Sequence, residues 1–559
     1  LLRPGAAYSS SSHSLVLPAP RVISVTEREM APATVDSLVD NLSRCHLLIS
    51  LFAFLRGMPV TWNLMMVVFV APPNVPYRCS TSSVNWTRTV LSATNASVLE
   101  EEARTQCFED AWNATDAEAV RIPCSSWEYD SSLYGHTVIE EWNLVCQSKW
   151  LVSVGQSVYL AGLVVGTVFS SHLSDWFGRK RSLLVGILLT AAASACAAFS
   201  NSVPMYYASR FVVAFGTTGF SDIVYTLVME TVSPRFRFMP TMTLGMGWTT
   251  GMVLLPWLAY LTRDWRLTQL YAAAPLALML LVWWFVPESP RWLLATGKFQ
   301  EARDVLARFS KHSKAPAQAV DEIIDEAKRK RETARDIGRA TIPDLFSTRT
   351  WATTTTVFSL QLIVSSMLWY HVTVSTAGVG GSPYVNFSIA ATSEYPVKAI
   401  NVVLIKWCKR RRAIAGSFTL SGIVLLAVFF VPQDYAWTKL CLLIVGKVCT
   451  SVNGALFRVQ LSETYPTVVR SVAMGFCLTA GRLGSVLAPF FNDLGDATLP
   501  WVPNVLAAVV AVISACLVVF LPESFQKVLE DTFAKEEKRK TSGPPEETPD
   551  IYSIESSHL

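Results

Sequence analysis

Twelve long apolar stretches, separated by polar loops, constrain this chain more than any other feature. A helix that crosses a hydrocarbon core of ~30 Å needs about 20 apolar residues. The stretches lie at 47–70, 150–170, 182–200, 205–228, 240–260, 268–286, 351–373, 383–405, 413–431, 437–457, 469–490 and 502–521. With 51% apolar and 16% charged residues, the composition is also typical of a polytopic membrane protein. The pattern predicts an all-α membrane protein with twelve transmembrane helices.

Charge in the loops predicts how these helices are oriented. Lys and Arg concentrate after even-numbered stretches, for example at 179–181, 303–339 and 406–412. Because loops rich in Lys and Arg stay in the cytoplasm, we expect both chain ends there. Residues 1–46 are then a cytoplasmic, partly disordered N-terminal region, and 522–559 a cytoplasmic tail. The net charge of +4 gives no indication of nucleic-acid binding.

The two longest loops divide the chain. Loop 71–149 is predicted to be extracellular, because it combines cysteines with N-glycosylation sequences and both modifications belong to the secretory compartment. These residues are Cys79, Cys107, Cys124, Cys146, Asn85, Asn95 and Asn113. Four cysteines allow three disulfide pairings, and the sequence does not choose among them. The cytoplasmic linker 287–349, with amphipathic helices expected over 298–340, separates a half at 47–286 from a half at 350–521.

The stretch Leu173–Ser182 is a short basic turn between the second and third apolar stretches. So short a connection makes the two helices antiparallel neighbours, and its positive charges place it in the cytoplasm. Asp175 lies where a helix ends, beside Arg179 and Lys180, which predicts a breakable charge cluster. The stretch, with Gly178, resembles the signature loop of the major facilitator superfamily.

Four further motifs resemble one branch of that superfamily, the organic ion transporters of solute carrier family 22. They are Glu141–Cys146, Pro287–Leu293, Glu463–Arg470 and Leu521–Ser524. The resemblance implies the twelve-helix major facilitator fold, with two six-helix halves around a central cavity. The second signature loop, Lys406–Arg412, has neither the Asp nor the Gly of the pattern. We therefore expect the inner gate of the second half to be weaker or differently built.

The same resemblance implies a set of gating residues near the inner ends of the helices. Their charges would form clusters whose opening is offset by substrate binding. The set is Asp175, Gly178, Arg179, Lys180, Arg210, Glu230, Glu288, Arg291, Glu463 and Arg470.

Charged residues inside the apolar stretches are the best candidates for a substrate site, because a charge at mid-bilayer costs about 2.5–3.5 kcal/mol. Lys398 lies in a stretch similar to that of the organic anion branch, and Arg482 lies where the resemblance implies Arg in both the anion and the carnitine branches. Two cations at one cavity would attract a carboxylate or sulfate. Glu394 lies one turn before Lys398, so Lys398 either contacts substrate or is neutralised by Glu394. Arg482 has no acidic residue one turn away, which favours substrate contact.

Two further cations and four aromatic residues complete the candidate site. Lys447 and Arg458 are close to three helical turns apart and point about the same way; Arg458 either enlarges the anion site, fills the cavity or has a structural role. Aromatic rings suit flat anions by stacking and organic cations by cation–π attraction, so they do not decide the sign of the substrate. The aromatic candidates are Trp369, Tyr370, Trp248 and Tyr159.

The favoured function is a plasma-membrane carrier of small organic anions that works by alternating access, with exchange against an intracellular dicarboxylate implied by the resemblance. The alternatives are an organic cation or carnitine-like zwitterion carrier, and a receptor-like relative without transport. No cofactor, metal or nucleic-acid partner is expected; the partners are the organic ion, its counter-substrate and the bilayer. An enzyme is not expected, because the sequence lacks a phosphate-binding Gly-rich loop, metal-ligand spacing and a nucleophile elbow.

Overall fold

The computed structural model of this chain describes residues 44–72, 75–80, 107–112, 119–232, 238–310, 319–333, 341–432, 434–499 and 501–525. Within these ranges the protein is almost wholly helical. The predicted glycosylation positions Asn85, Asn95 and Asn113 lie outside the described residues, as do most of the N-terminal region and nearly all of the C-terminal tail.

Among the described residues, the first half contains ten helices. They are α1 Arg44–Met65, α2 Val67–Val70, α3 Ser131–Tyr134, α4 Val138–Trp142, α5 Trp150–Phe177, α6 Arg179–Ala198, α7 Val203–Thr231, α8 Phe238–Thr262, α9 Trp265–Tyr271 and α10 Ala274–Trp283. Helix α5 packs closely on α7, α7 on α6, and α8 on α1.

The linker and the second half contain the remaining helices. The linker holds α11 Pro290–Thr296, α12 Phe299–Ser310 and α13 Ala319–Thr333, so the expected amphipathic helices are present. The second half is α14 Arg349–Ser375, α15 Pro383–Thr392, α16 Glu394–Trp407, α17 Arg410–Phe430, α18 Ala436–Thr464, α19 Thr467–Leu487, α20 Pro489–Ala497 and α21 Val502–Leu517. Short 3₁₀ turns lie at Cys146–Ser148, Ile342–Phe346, Thr376–Gly378 and Val518–Phe520.

Helices occupy all twelve predicted stretches, and ten segments among the described residues are long and apolar enough to cross a membrane. Three stretches are interrupted where a proline follows the break: Pro275 is the second residue of α10, Pro396 lies in the first turn of α16, and Pro489 begins α20. Proline has no N–H to give to the preceding turn, so the helix kinks or restarts there.

The loop between α2 and α5 contains a small amount of β-structure that the sequence pattern did not predict. Strand β1 Tyr77–Cys79 pairs antiparallel with β4 Trp127–Tyr129, with Cys79 opposite Trp127. Strand β2 Phe108–Trp112 pairs antiparallel with β3 Ala119–Pro123. The disulfides Cys79–Cys124 and Cys107–Cys146 connect these strands to the start of α5. Of the three possible pairings, the structure therefore has the one in which the two disulfide loops overlap.

This loop marks one end of the protein, here called the disulfide face; the end that carries α11 to α13 is called the linker face. The loop docks on the first half through Glu141, which accepts hydrogen bonds from Arg266 and from the Trp265 indole. Burial alone would raise the pKa of Glu141, but these two donors outweigh it and hold the pKa below its usual value.

The apolar core is divided differently at the two ends. At the disulfide face one cluster joins both halves, with Tyr159 and Trp265 from the first half and Tyr384 and Phe387 from the second. Toward the linker face each half has a core of its own, and the core of the first half includes Leu293 and other linker-helix residues. Large apolar side chains on the outer surface, such as Leu261 at 79% exposure, are suited to lipid contact.

Glycine allows α1 and α8 to approach each other closely. A Cβ added at Gly57 of α1 would fall on the backbone of Gly247 and Trp248 in α8, and a Cβ at Gly247 would fall on the carbonyl of Phe54. Small residues at such a crossing bring two membrane helices into backbone contact.

We expect Gly57→Leu to destabilise the protein, because added bulk at a filled helix crossing costs about 1–3 kcal/mol. The readout is the melting temperature of the detergent-purified protein. Gly416→Leu is the matched control, since no atom lies within 4 Å of a Cβ at Gly416 of α17. Equal melting temperatures for the two variants would contradict the role of this crossing.

Candidate functional site

Hydrogen bonds between α5 and the helices α19 and α20 close the disulfide face between the two halves. The hydroxyl of Ser153 donates to the Asp493 carboxylate at 2.7 Å, and that of Ser157 donates to the carbonyl of Val486 at 2.8 Å. At the linker face, by contrast, Asp175 and Trp176 at the end of α5 are largely exposed. Charged side chains between the halves also stay partly exposed, at 29% for Lys398 and 33% for Arg482, so a water-accessible cavity lies between the halves on the linker side of these hydrogen bonds.

A second wall of this cavity is formed by α8 of the first half and by the broken helix α15–α16 of the second. Thr250 and Tyr395 share a hydrogen bond of 2.9 Å across the two halves. The stem of Lys398 lies against Gly245, where an added Cβ would be 3.5 Å from the Lys398 Cε. This brings Lys398 to the interface between the halves, as a substrate-contacting residue requires.

The carboxylate of Glu394 organises the polar groups around this wall. It accepts a hydrogen bond from Ser451 at 2.6 Å and a longer one from the indole of Trp369 at 3.4 Å. Its other oxygen lies 3.8 Å from the Lys398 ammonium. Trp248 of α8 completes the group, with its ring 6.2 Å from that of Trp369. Four of the predicted site residues therefore lie together: Glu394, Lys398, Trp369 and Trp248.

Arg482 crosses from the second half to the first. Its Nη2 lies 3.3 Å from both carboxylate oxygens of Asp222 in α7, and its Nη1 donates to the carbonyl of Leu163 in α5 at 3.1 Å. No acidic residue lies one turn from Arg482 on its own helix, and its acidic partner comes from another helix, 260 residues earlier in the chain.

Arg458 is a cation that this arrangement leaves without an acidic hydrogen-bond partner. It is exposed although it lies within α18, and it is within electrostatic range of Tyr225 from the first half and of Glu394 from the second. Among the residues that the structure describes, no hydrogen bond or ion pair neutralises its guanidinium. Neighbours from both halves place Arg458 at the cavity rather than at the lipid surface.

Three other candidates lie away from the cavity. The ammonium of Lys447 is buried and donates to the carbonyl of Ala390 at 2.9 Å, next to the break between α15 and α16. Tyr159 and Tyr370 are buried toward the disulfide face. Contact of these three residues with substrate stays a prediction; in this conformation their side chains are buried between helices.

The signature loop of the first half builds a charge cluster at the linker face. Arg179 forms two hydrogen bonds with Glu230, at 3.0 and 2.7 Å, and one with Asp175 at 2.8 Å. Glu288 accepts from the backbone N–H groups of Arg179 and Lys180 at 3.0 and 3.1 Å, where the start of α6 favours negative charge. Gly178, between α5 and α6, has a φ of 99°, and a Cβ at this position would lie 2.7 Å from the Glu288 carboxylate.

The second half repeats this cluster from a different sequence. Arg410 forms two hydrogen bonds with Glu463, at 3.2 and 3.1 Å, and its backbone N–H donates to Glu523 at 2.9 Å. The position equivalent to Asp175, four residues before the arginine, is held by Lys406, which is exposed. The expected weakening of this gate is thus limited to one missing carboxylate, because Arg410 keeps its other partners.

The other predicted gating residues lie outside these two clusters or make other contacts. Arg210 does not join the cluster: Nη2 donates to the carbonyl of Asn63 at 2.8 Å and the guanidinium lies over the Tyr159 ring. Twenty residues of α7 separate it from Glu230, which is about 30 Å along a helix. Arg470 donates to the carbonyl of Tyr465 at 3.2 Å, and Arg291 lies in α11.

Sequence reasoning missed four residues of these sites: Asp222, Arg410, Ser451 and Glu523. Two had a usable signal. Val286–Ser289 and Leu521–Ser524 both contain Pro-Glu-Ser after a long helix, so Glu523 is the repeat of Glu288. Asp222 is an acidic residue deep in an apolar stretch, and such a charge calls for a partner.

We expect Arg410→Ala to destabilise the protein by about 3 kcal/mol, because Glu463 loses its cation, and Arg179→Ala to destabilise it more, because Glu230 and Asp175 both lose theirs. The melting temperature of the purified protein is the measurement, and Arg412→Ala, which removes an exposed arginine of α17, is the control. Stability of Arg410→Ala at the level of the control would mean that the altered loop is indeed a weak gate.

Comparison with known proteins gives a family and a fold that agree with this geometry. A family model described as "Sugar (and other) transporter" matches residues 92–533. Organic cation/carnitine transporter 2 of Homo sapiens is 32% identical over 418 residues, which cover 73% of this chain and 72% of that protein. Organic anion transporter 3 of Oryctolagus cuniculus is 30% identical over 420 residues, which cover 75% of this chain and 77% of that protein.

The fold is that of solved major facilitators. A partially occluded, inward-open structure of the xylose transporter XylE from E. coli superimposes with a TM-score of 0.59 at 15% identity, over 87% of this chain and 100% of that one. The match over most of the chain, together with the two charge clusters and the central cavity, identifies a multi-pass membrane transporter rather than an enzyme. This chain belongs to the major facilitator superfamily, among the organic ion transporters of solute carrier family 22.

Proposed function

We propose that this chain carries small organic anions across the plasma membrane by alternating access between its two halves. The observation that carries the proposal is the exposed guanidinium of Arg458 at the cavity, which has no compensating partner among the described residues. Asp222 offsets Arg482 and Glu394 offsets Lys398. The cavity therefore has an excess of positive charge, which favours an anionic substrate.

The proposal includes an orientation. The disulfide face lies outside and the linker face lies in the cytoplasm, with both chain ends also cytoplasmic. Disulfides in the loop around α3 and α4 and basic residues at the linker face both support this assignment. The conformation described here is then open to the cytoplasm. The substrate is released there, and exchange requires an intracellular counter-substrate, proposed to be a dicarboxylate, to enter by the same opening.

Glu394 supports a second candidate, a carnitine-like zwitterion or an organic cation. Its carboxylate lies beside the indole of Trp369, and the ring of Trp248 is close by. An acid next to aromatic faces is suited to a quaternary ammonium group. A zwitterion would place its ammonium here and its carboxylate at Arg458. One of the relatives carries a name of this kind, the organic cation/carnitine transporter 2.

Removal of the Arg458 charge should weaken transport of anions. We expect Arg458→Gln to raise the KM for a labelled aromatic carboxylate about tenfold, because a charge-assisted hydrogen bond contributes roughly 1.5–3 kcal/mol. Uptake by cells that express each variant, corrected for surface amount, is the measurement. Arg412→Gln is the control, since it removes an exposed arginine away from the cavity.

The same assay separates the alternatives. Saturable uptake of a quaternary ammonium, lost in Glu394→Gln but kept in Arg458→Gln, would replace the anion proposal with a cation carrier. Uptake of a zwitterionic substrate that is weakened both in Glu394→Gln, which removes the partner of its ammonium, and in Arg458→Gln, which removes the partner of its carboxylate, would favour the carnitine-like carrier. Normal surface expression without uptake of any of these compounds would favour a receptor-like relative without transport.

A further inference from the structure

The ion pair between Asp222 and Arg482 joins the two halves in the middle of the protein. One guanidinium of the second half is held by two helices of the first, through the Asp222 carboxylate of α7 and the Leu163 carbonyl of α5. Both side chains of the pair are about one-third exposed, at 33% for Arg482 and 34% for Asp222. The pair is therefore reachable from the open cavity.

The pair is also the innermost member of a row of contacts. Along α5 the row runs through Ser153, Ser157 and Leu163; their partners in the second half are Asp493, Val486 and Arg482 in the same order. These are the contacts that close the disulfide face. Opening of that face must separate the rows, and the Arg482 contact is the one that a molecule in the cavity reaches first.

Among the residues that the structure describes, the further groups in electrostatic contact with the pair are Arg56 and Tyr225, which are positive and neutral. Arg56 of α1 lies close to the pair: its Nη1 is 3.5 Å from the carbonyl of Ser221, and both Asp222 and Arg482 are within its electrostatic range. Tyr225 lies one turn beyond Asp222. Without the Asp222 carboxylate, two guanidinium groups would face each other here. Asp222 therefore occupies the position at which a bound anion would be most strongly attracted.

We propose that Asp222 is a specificity-determining residue that competes with substrate anions for Arg482. A substrate carboxylate that binds Arg482 must displace the Asp222 carboxylate, and this displacement breaks the innermost contact between the halves. A cation could break the pair only by displacing Arg482 from Asp222, and the positive charge of Arg56 opposes its approach. The inference rests on the proposed transport of organic anions, and it adds that Asp222 makes the carrier demand a carboxylate or a group of equal charge.

The test is the KM for a labelled aromatic carboxylate in Asp222→Asn, measured by uptake and corrected for surface amount. Because the amide removes the competing charge with little change in shape, we expect KM to fall about fivefold or more, within the range of coupled binding sites. Asp222→Glu should restore a KM near that of the original protein. Asp304→Asn, which removes an exposed carboxylate of α12, should leave KM unchanged.

A double variant distinguishes competition from a general structural effect. In an Arg482→Gln background Asp222 has no guanidinium to occupy, so adding Asp222→Asn should give no further fall in KM. A fall of equal size in both backgrounds would overturn the inference. If Asp222→Asn does not reach the surface, Asp222→Ser supplies the same comparison.

The outcomes also separate this inference from the proposed function. If the original chain takes up no organic anion, the proposed function fails. If it does take up the carboxylate but Asp222→Asn leaves its KM unchanged or raises it, the competition by Asp222 is wrong while the transport of anions stands.

Discussion

The poor tolerance of a membrane interior for an isolated charge determines how this protein is arranged. A charged side chain in an apolar stretch is stable when it faces water, an opposite charge or a hydrogen-bonding group. The structure uses each of these solutions. Asp222 pairs with Arg482, Lys447 donates to the carbonyl of Ala390, and Arg458 faces the open cavity. The charged side chains thus lie where the cavity or a partner can accommodate them, and they determine which charge of substrate the cavity favours.

The two charge clusters at the linker face, around Arg179 and Arg410, have the same arrangement of hydrogen bonds although the two loop sequences differ. Arg179 and Arg410 each begin a helix, and each has a bidentate carboxylate partner and a glutamate at its backbone N–H. Arginine suits this role because its planar fork holds two oxygens at once. The first half adds Asp175, whereas the second half has Lys406 at the same place. The two gates therefore differ by one carboxylate and one lysine, and the first is the more strongly held.

Much of the fold could be predicted from the sequence, because long apolar helices and their loop charges are local signals. The twelve stretches, the linker helices and the paired cysteines all appear in the structure. Contacts between distant helices could not be predicted in the same way. The Glu394–Lys398 pair was visible, since its members are one turn apart, but the Asp222–Arg482 pair joins helices that no spacing rule connects. The resemblance implies that Arg210 joins the inner-end cluster, but it is the eighth residue of α7 and lies about 30 Å along the helix from Glu230.

Arg482 is paired with Asp222, whereas Arg458 has no acidic hydrogen-bond partner among the described residues. This difference explains why Arg458 is the proposed first contact for an anion, although the resemblance points to Arg482. An arginine that already has a carboxylate partner must lose that partner before it gains another, so its attraction for substrate is a difference between two ion pairs. Arg458 gives up only water. An anion entering from the linker face therefore gains first at Arg458, and it reaches Arg482 by replacing Asp222. In this order of contacts, the substrate binds before the Asp222–Arg482 ion pair between the halves breaks. Alternating access requires this order when substrate binding drives the change of conformation.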